Sequence, residues 1–112
     1  MEGKLYFNMV ANVGTDEVTL IPYPNGLAKV PDDRYRYVYT IVVSNTSTDL
    51  QTITLRIYRD GSLENEVPIV VQPQSTIQIG GRTIPILMVP PGRILKAVAT
   101  GSVVLVALVA DE

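Results

Sequence analysis

Apolar and polar residues alternate with a period of two along residues 34–58, and only a β-strand turns that period into one apolar face. The positions that share a face in the first half are Tyr35, Tyr37, Tyr39, Ile41 and Val43. The positions that share a face in the second half are Ile53, Leu55 and Ile57. Between them, residues 44–49 are Ser, Asn, Thr and Asp, whose side chains bond their own backbone and favour turns. The pattern predicts two long strands, at residues 34–44 and 50–58, joined by a polar turn.

Elsewhere no helical stripe is sustained, and turn residues recur about every eight to twelve positions, a spacing typical of sandwiches and barrels. Further strands are predicted at residues 5–10, 18–21, 27–30, 66–71, 75–79, 83–89, 94–99 and 103–109. Pro68 predicts that its strand lies at a sheet edge, and Pro85 predicts an edge or a bulge. Asp60-Gly61 predicts a hairpin turn with Gly61 at positive φ. We therefore predict one all-β domain over residues 1–112. Its expected architecture is a two-sheet antiparallel sandwich, jelly-roll-like, with about eight to ten short strands.

The last predicted strand is apolar at nearly every position, which is typical of a central strand covered on both sides. A second sheet would cover one side and a neighbouring subunit the other, so Val104, Val106 and Leu108 are candidate interaction residues. Residues 1–30 are rich in proline and aromatics and are expected to form an arm or edge region. Aromatic residues often anchor contacts to a partner, which makes Tyr6, Phe7 and Tyr23 further candidates.

The chain has no cysteine, no histidine and no tryptophan. A disulfide, a thiolate or histidine metal site and a histidine-based catalytic triad are therefore excluded. The carboxylates fall in three small groups, Asp16-Glu17, Asp32-Asp33 and Glu64 with Glu66, all in predicted turns where solvated acids are common. We predict no catalytic residue, no cofactor-binding residue and no metal site.

The formal net charge is −2 and the basic residues are scattered, so no basic footprint for nucleic acid is present. The N-terminal residues lack a continuous apolar segment, and no apolar run approaches the roughly 20 residues that cross a bilayer. We expect synthesis in the cytoplasm and no membrane contact. Charged residues make up only 18% of the chain, which favours a homo-oligomer with buried subunit contacts.

Two segments resemble a known family. Residues 39–61, YTIVVSNTSTDLQTITLRIYRDG, and residues 87–112, LMVPPGRILKAVATGSVVLVALVADE, are similar to small β-sandwich virion accessory proteins of tailed bacteriophages. Members of that family decorate capsids or belong to the neck, tail or fibre, and they carry no catalytic motif. The resemblance implies a non-enzymatic structural protein of the virion, with a capsid decoration (cement) protein as the first expectation. Its expected partners are other virion proteins and further copies of itself, first as a trimer, with residues 1–30 reaching a neighbour.

The alternative is a carbohydrate- or ligand-binding β-sandwich module. The tyrosine row of Tyr35, Tyr37 and Tyr39 could form a stacking platform for a sugar, but we favour packing in the core or at an interface as its explanation. An enzyme would need two carboxylates that face each other across a deep apolar cleft. The match of Asn45-Thr46-Ser47 to a glycosylation sequon is interpreted as a turn.

Overall fold

The structure, a computed structural model, describes residues 6–23 and 27–112. These residues form β-strands and no helix. The strands are β1 (Tyr6–Val13), β2 (Val18–Thr19), β3 (Arg36–Asn45), β4 (Gln51–Arg59), β5 (Ser62–Val71), β6 (Ser75–Gly80), β7 (Leu87–Val89), β8 (Arg93–Ala99) and β9 (Val103–Asp111).

The strands are arranged in two antiparallel sheets. One is five-stranded with the order β1-β9-β3-β6, and β7 also pairs with β3; the other is four-stranded with the order β2-β8-β4-β5. Apart from the short β7, this is the strand order of a jelly roll, in which the chain crosses repeatedly between two sheets. The predicted fold class, an all-β two-sheet sandwich, is confirmed.

The core lies between the two sheets and is built from alternate residues of each strand. On β9 the buried positions are Val103, Leu105, Ala107 and Val109, and opposite them β4 contributes Ile53, Leu55 and Ile57. β9 pairs with β1 on one side and β3 on the other. The prediction that the closing apolar strand is central is therefore confirmed.

A β-bulge at Tyr39 corrects the predicted face of β3. Val38 pairs with Val109 and Thr40 pairs with Leu108, so Tyr39 is the extra residue. Ile41 and Val43 face the core as expected, but before the bulge the core positions are Arg36 and Val38. Tyr35 and Tyr37 therefore do not share the core face, because one inserted residue reverses the alternation, whereas Tyr39 itself is buried.

Three local predictions have different outcomes. Asp60 and Gly61 have φ of 49° and 82°, as a two-residue hairpin turn between β4 and β5 requires, which confirms that prediction. The brief strand expected at residues 27–30 is reduced to a single bridge between Lys29 and Ile94. The strand expected at residues 83–89 begins only at Leu87, because Pro85 cannot donate a ladder hydrogen bond.

The N-terminal region forms edges of both sheets rather than an extended arm. β1 pairs along its whole length with β9, and β2 pairs with β8. Leu20 and Val30 are buried in the core. The parts of the predicted arm at residues 1–5 and 24–26 lie outside the described residues.

Candidate functional site: the outer face of the five-stranded sheet

The five-stranded sheet turns one side to the core and the other away from it, and we call this second side the outer face. Strand register aligns its residues in rows that cross the sheet. One row runs from Val10 through Val106 and Val42 to Gln78. The positions that form the outer face are Tyr6, Asn8, Val10, Asn12, Tyr37, Thr40, Val42, Ser44, Thr76, Gln78, Met88, Val104, Val106, Leu108 and Ala110.

The centre of the outer face is apolar and open. Val10 exposes 68% of its surface, Val104 39% and Val106 36%, and Leu108 is half-buried. β-branched residues at these positions support the strand itself, but nothing in a sheet requires its outer side to be apolar. Large exposed apolar patches are typical of surfaces that contact another molecule, which makes the outer face the candidate site.

The positions that define the outer face include no charged side chain. At its margin, Arg82 from the loop after β6 borders a small depression together with Tyr6 and Leu108. Depletion of charge at the centre with polar groups at the rim is the composition of a protein–protein contact surface.

The opposite side of the sandwich has the reverse character. On the four-stranded sheet, Arg56 donates to Glu17 at 3.0 Å and to Glu66 at 2.9 Å. The Nζ of Lys96 lies 3.9 Å from Glu17 and 4.9 Å from the centre of the Tyr58 ring. A connected set of charges is hydrated and costly to bury, so this side is suited to solvent.

Glu17 is the centre of that charged network. The Tyr58 hydroxyl donates to Glu17 Oε2 at 2.6 Å, and this bond is the main cause that lowers the pKa of Glu17. The bond from Arg56 and the charge of Lys96 lower the pKa of Glu17 further. The same bond raises the pKa of Tyr58, because the phenol must lose its acceptor partner to ionise.

Tyrosine rings cluster at one end of the outer face. The rings of Tyr6 and Tyr39 meet edge to face with centroids 5.7 Å apart, and Tyr37 lies 6.5 Å from Tyr39. The Tyr39 hydroxyl donates to Glu112 Oε2 at 2.9 Å. Tyr35 stacks with Tyr37 at 6.3 Å with an angle of 27° between the rings. Tyr39 is buried beneath this cluster, and the exposed rings of Tyr6 and Tyr35 and the half-buried ring of Tyr37 add aromatic surface at this end of the outer face.

The structure brings four of the six predicted interaction residues together. Tyr6, Val104, Val106 and Leu108 all belong to the outer face. Tyr23 is exposed beside it, where its backbone exchanges two hydrogen bonds with Asn8 at the free edge of β1.

Phe7 is the exception among the predicted interaction residues. Its side chain lies in the core and exposes only 7% of its surface, because it alternates with the outward Tyr6. Phe7 is therefore a packing residue rather than a surface contact.

Sequence reasoning missed Val10, Val42 and Met88 as parts of this surface. Val10 and Val42 become significant only once β1 and β3 are known to flank β9, since both pair directly with Val106. Met88 joins them because β7 pairs with β3 and places Met88 opposite Tyr37. No local sequence signal identifies these neighbours, because they come from three separate segments.

A cavity of about 290 Å³ lies at one end of the sandwich, and the buried ion pair of Arg36 and Asp111 forms part of its wall. In residues 6–23 and 27–112, no three carboxylates converge as metal ligands would. The described part of the chain also contains no helix of the length and apolarity that crossing a membrane requires.

In comparisons with known proteins, no protein-family model and no curated protein matches the chain.

Proposed function

We propose that this protein is a non-enzymatic structural protein that adheres to other proteins through its outer face. The observation that supports the proposal is the contrast between the two sides of the sandwich. The outer face is apolar at its centre and has no charged side chain among its outward positions, whereas the opposite side carries an ion-pair network. An apolar patch gains free energy when a partner removes it from water, whereas the charged side would lose hydration in such a contact.

The setting we propose is the particle of a tailed bacteriophage, with the protein as a capsid decoration (cement) or related accessory component. Support comes from the resemblance of residues 39–61 and 87–112 to such proteins and from the jelly-roll strand order. On a repeating lattice, many copies would bind together and convert modest single contacts into high avidity. The protein would then be made in the host cytoplasm and reside in the virion.

Addition of purified protein to particles assembled without it tests this function. Cosedimentation is expected to show saturable binding at a fixed number of copies per particle, because a lattice offers a fixed number of equivalent sites. Binding that never saturates, or no binding at all, contradicts the virion role. The trimer expected from the sequence is an alternative to the dimer proposed below, and sedimentation of the free protein distinguishes the two.

A second function, carbohydrate binding, is favoured by one observation. Tyr35 is exposed, and its ring stacks with that of Tyr37 at an angle of 27°. Paired aromatic rings can hold a sugar. A glycan array probed with wild-type protein and with Tyr35→Ala would show a hit that depends on Tyr35 if this function is real.

A further inference from the structure

The edge strands of the two sheets are protected from pairing with another chain to very different degrees. Unpaired edge strands expose backbone donors and acceptors, and proteins normally block them with charge, proline or shortness. On the four-stranded sheet, β2 has only two residues, and the exposed edge strand β5 carries Glu64, Glu66 and Pro68. On the five-stranded sheet, β1 is partly covered by the backbone bonds between Asn8 and Tyr23.

β6 has none of these protections. It is six residues long, Ser75–Gly80, and contains neither a charge nor a proline. β3 occupies one of its sides, and among the described strands no other pairs with it. Its side chains alternate, with Thr76 and Gln78 exposed on the outer face and Ile77 and Ile79 half-buried against the core. The apolar margin of the sandwich is therefore left incompletely covered along this strand.

We propose that β6 pairs with β6 of a second copy of this chain, antiparallel, about a two-fold axis at Gln78. In this register Gln78 lies opposite the partner's Gln78, and Ile77 lies opposite the partner's Ile79. Directly opposite residues of an antiparallel pair share a face of the sheet. The isoleucines of both copies therefore meet on the core side, and the two glutamines meet on the outer side, where their amides can exchange hydrogen bonds.

The alternation of β6 requires a register that keeps the apolar sides of both copies together, which an axis at Ile77 or at Gln78 provides. The axis at Gln78 is favoured because it sets Ile77 opposite the partner's Ile79, whereas an axis at Ile77 would set Ile79 opposite the partner's Ser75. A shift of one residue would set Ile77 opposite the partner's Gln78 and would turn one copy over, so that its apolar side met the polar side of the other. The strand is complementary to itself in the even register, and neither copy contributes a charge that would repel its equivalent. Two-fold pairing of identical patches is also the commonest symmetry of homo-oligomers.

The pairing goes beyond adhesion to a lattice and does not depend on it. The two five-stranded sheets become continuous, and the two outer faces lie side by side and point the same way. The dimer would thus present two outer faces, and the pairing of the β6 strands would bury neither of them. Because only the short β6 strands pair, the interface is small, and we expect the dimer to dissociate at low protein concentration.

Replacement of Gln78 by residues of opposite charge tests the position of the two-fold axis directly. Sedimentation velocity over a concentration series is expected to show wild-type dimers. Gln78→Lys and Gln78→Glu are each expected to weaken dimerisation about tenfold or more, because like charges would face each other at the axis. An equal mixture of the two variants is expected to dimerise again, since only the mixed pair places Lys opposite Glu. Circular dichroism shows whether each variant keeps its strands.

Two controls separate this edge from other surfaces. Val70→Lys places the same charge on exposed β5 of the other sheet and is expected to leave the dimer unchanged. Val106→Lys on the outer face is also expected to leave it unchanged while it weakens adhesion. A wild-type monomer at every concentration, a trimer, or a Gln78→Lys variant that dimerises like the wild type would overturn the proposal. A mixture that fails to restore dimers would overturn it as well.

Discussion

Arg36 of β3 donates two hydrogen bonds to Asp111 of β9, from Nε to Oδ1 at 2.7 Å and from Nη2 to Oδ2 at 2.9 Å. Its side chain exposes only 1% of its surface, and its Nη1 donates to the carbonyl oxygen of Ala28 at 3.3 Å. The pair therefore joins the first residue of β3, the end of the last strand and the segment before β3. A bidentate guanidinium–carboxylate pair fixes this geometry more tightly than a point charge would.

Removal of one partner of this pair is expected to destabilise the fold more than removal of both. Asp111→Leu leaves a buried guanidinium without a counter-charge, and we expect a loss of about 3–5 kcal/mol in the free energy of unfolding. The double variant Arg36→Leu/Asp111→Leu should lose less, because no unpaired buried charge remains. Urea unfolding measures both. A loss below about 1 kcal/mol for Asp111→Leu, the range of exposed pairs, would contradict the buried pair.

Gly80 and Gly81 are adjacent, yet substitution by alanine should destabilise the protein far more at Gly80 than at Gly81. Gly80 ends β6 with φ of 85°, and a Cβ there would collide with the carbonyl oxygen of Tyr39. Nothing lies within 4 Å of a Cβ at Gly81. Gly80→Ala is expected to cost at least about 2 kcal/mol of stability from strain and collision, and Gly81→Ala well under 1 kcal/mol. Equal melting temperatures for the two variants would show that the turn is built differently.

The buried amide of Asn45 organises the turn between β3 and β4. Its Nδ2 donates to the carbonyl oxygens of Asp49, Val71 and Gln72, and its Oδ1 accepts from the backbone N–H and the hydroxyl of Ser47. This accounts for the Asn-Thr-Ser sequence structurally, as the turn interpretation expects.

Asn45→Asp should therefore destabilise the protein, because it removes the donor and sets a carboxylate against three carbonyl oxygens. We expect a loss of about 2–4 kcal/mol in the free energy of unfolding at neutral pH. Asn65→Asp is the matched control, since Asn65 is exposed and its side-chain oxygen only accepts a bond from Glu66 N. A similar loss in both variants would show that the amide of Asn45 has no special role.

The pKa of Glu17 should rise in the variant Tyr58→Phe, because the hydroxyl bond is the main cause that lowers it. A carboxylate whose pKa is lowered in the folded state adds stability above its ordinary pKa and loses it as the pH falls through the lowered value. Tyr58→Phe should therefore make stability less dependent on pH in that acidic interval. A carbon-13 NMR titration of the Glu17 carboxyl group measures the pKa. Tyr37→Phe is the control, and an unchanged Glu17 pKa in Tyr58→Phe would contradict the assigned cause.

The two-sheet architecture follows from sequence because alternation and turn chemistry are local properties. The polar turn around Asn45 and the Asp60-Gly61 hairpin were predicted from residues that lie next to each other. The apolar β9 was identified as a central strand for the same reason. Its outward valines were predicted as contact residues, because a strand that covers the core on one side needs apolar residues only on that side.

Features that depend on pairing between residues far apart in the chain could not be predicted from the sequence. The bulge at Tyr39 depends on how β3 aligns with β9, and it moved Tyr35 and Tyr37 out of the predicted core face. The burial of Arg36 was not predicted, because its partner Asp111 lies far along the chain. Phe7 was assigned to the surface since one strand alone does not show which of Tyr6 and Phe7 points inward.

Binding of the outer-face variant Val106→Lys to particles assembled without the protein tests the central claim most directly. Val106 lies in the middle of the face, between Val10 and Val42, so a charge there would have to be buried on adhesion. Val70→Lys on the opposite side is the matched control. The account predicts that Val106→Lys loses about 2 kcal/mol or more of binding free energy, roughly thirtyfold in affinity, while Val70→Lys binds like the wild type. Undiminished binding by Val106→Lys, with loss of binding by Val70→Lys, would contradict it.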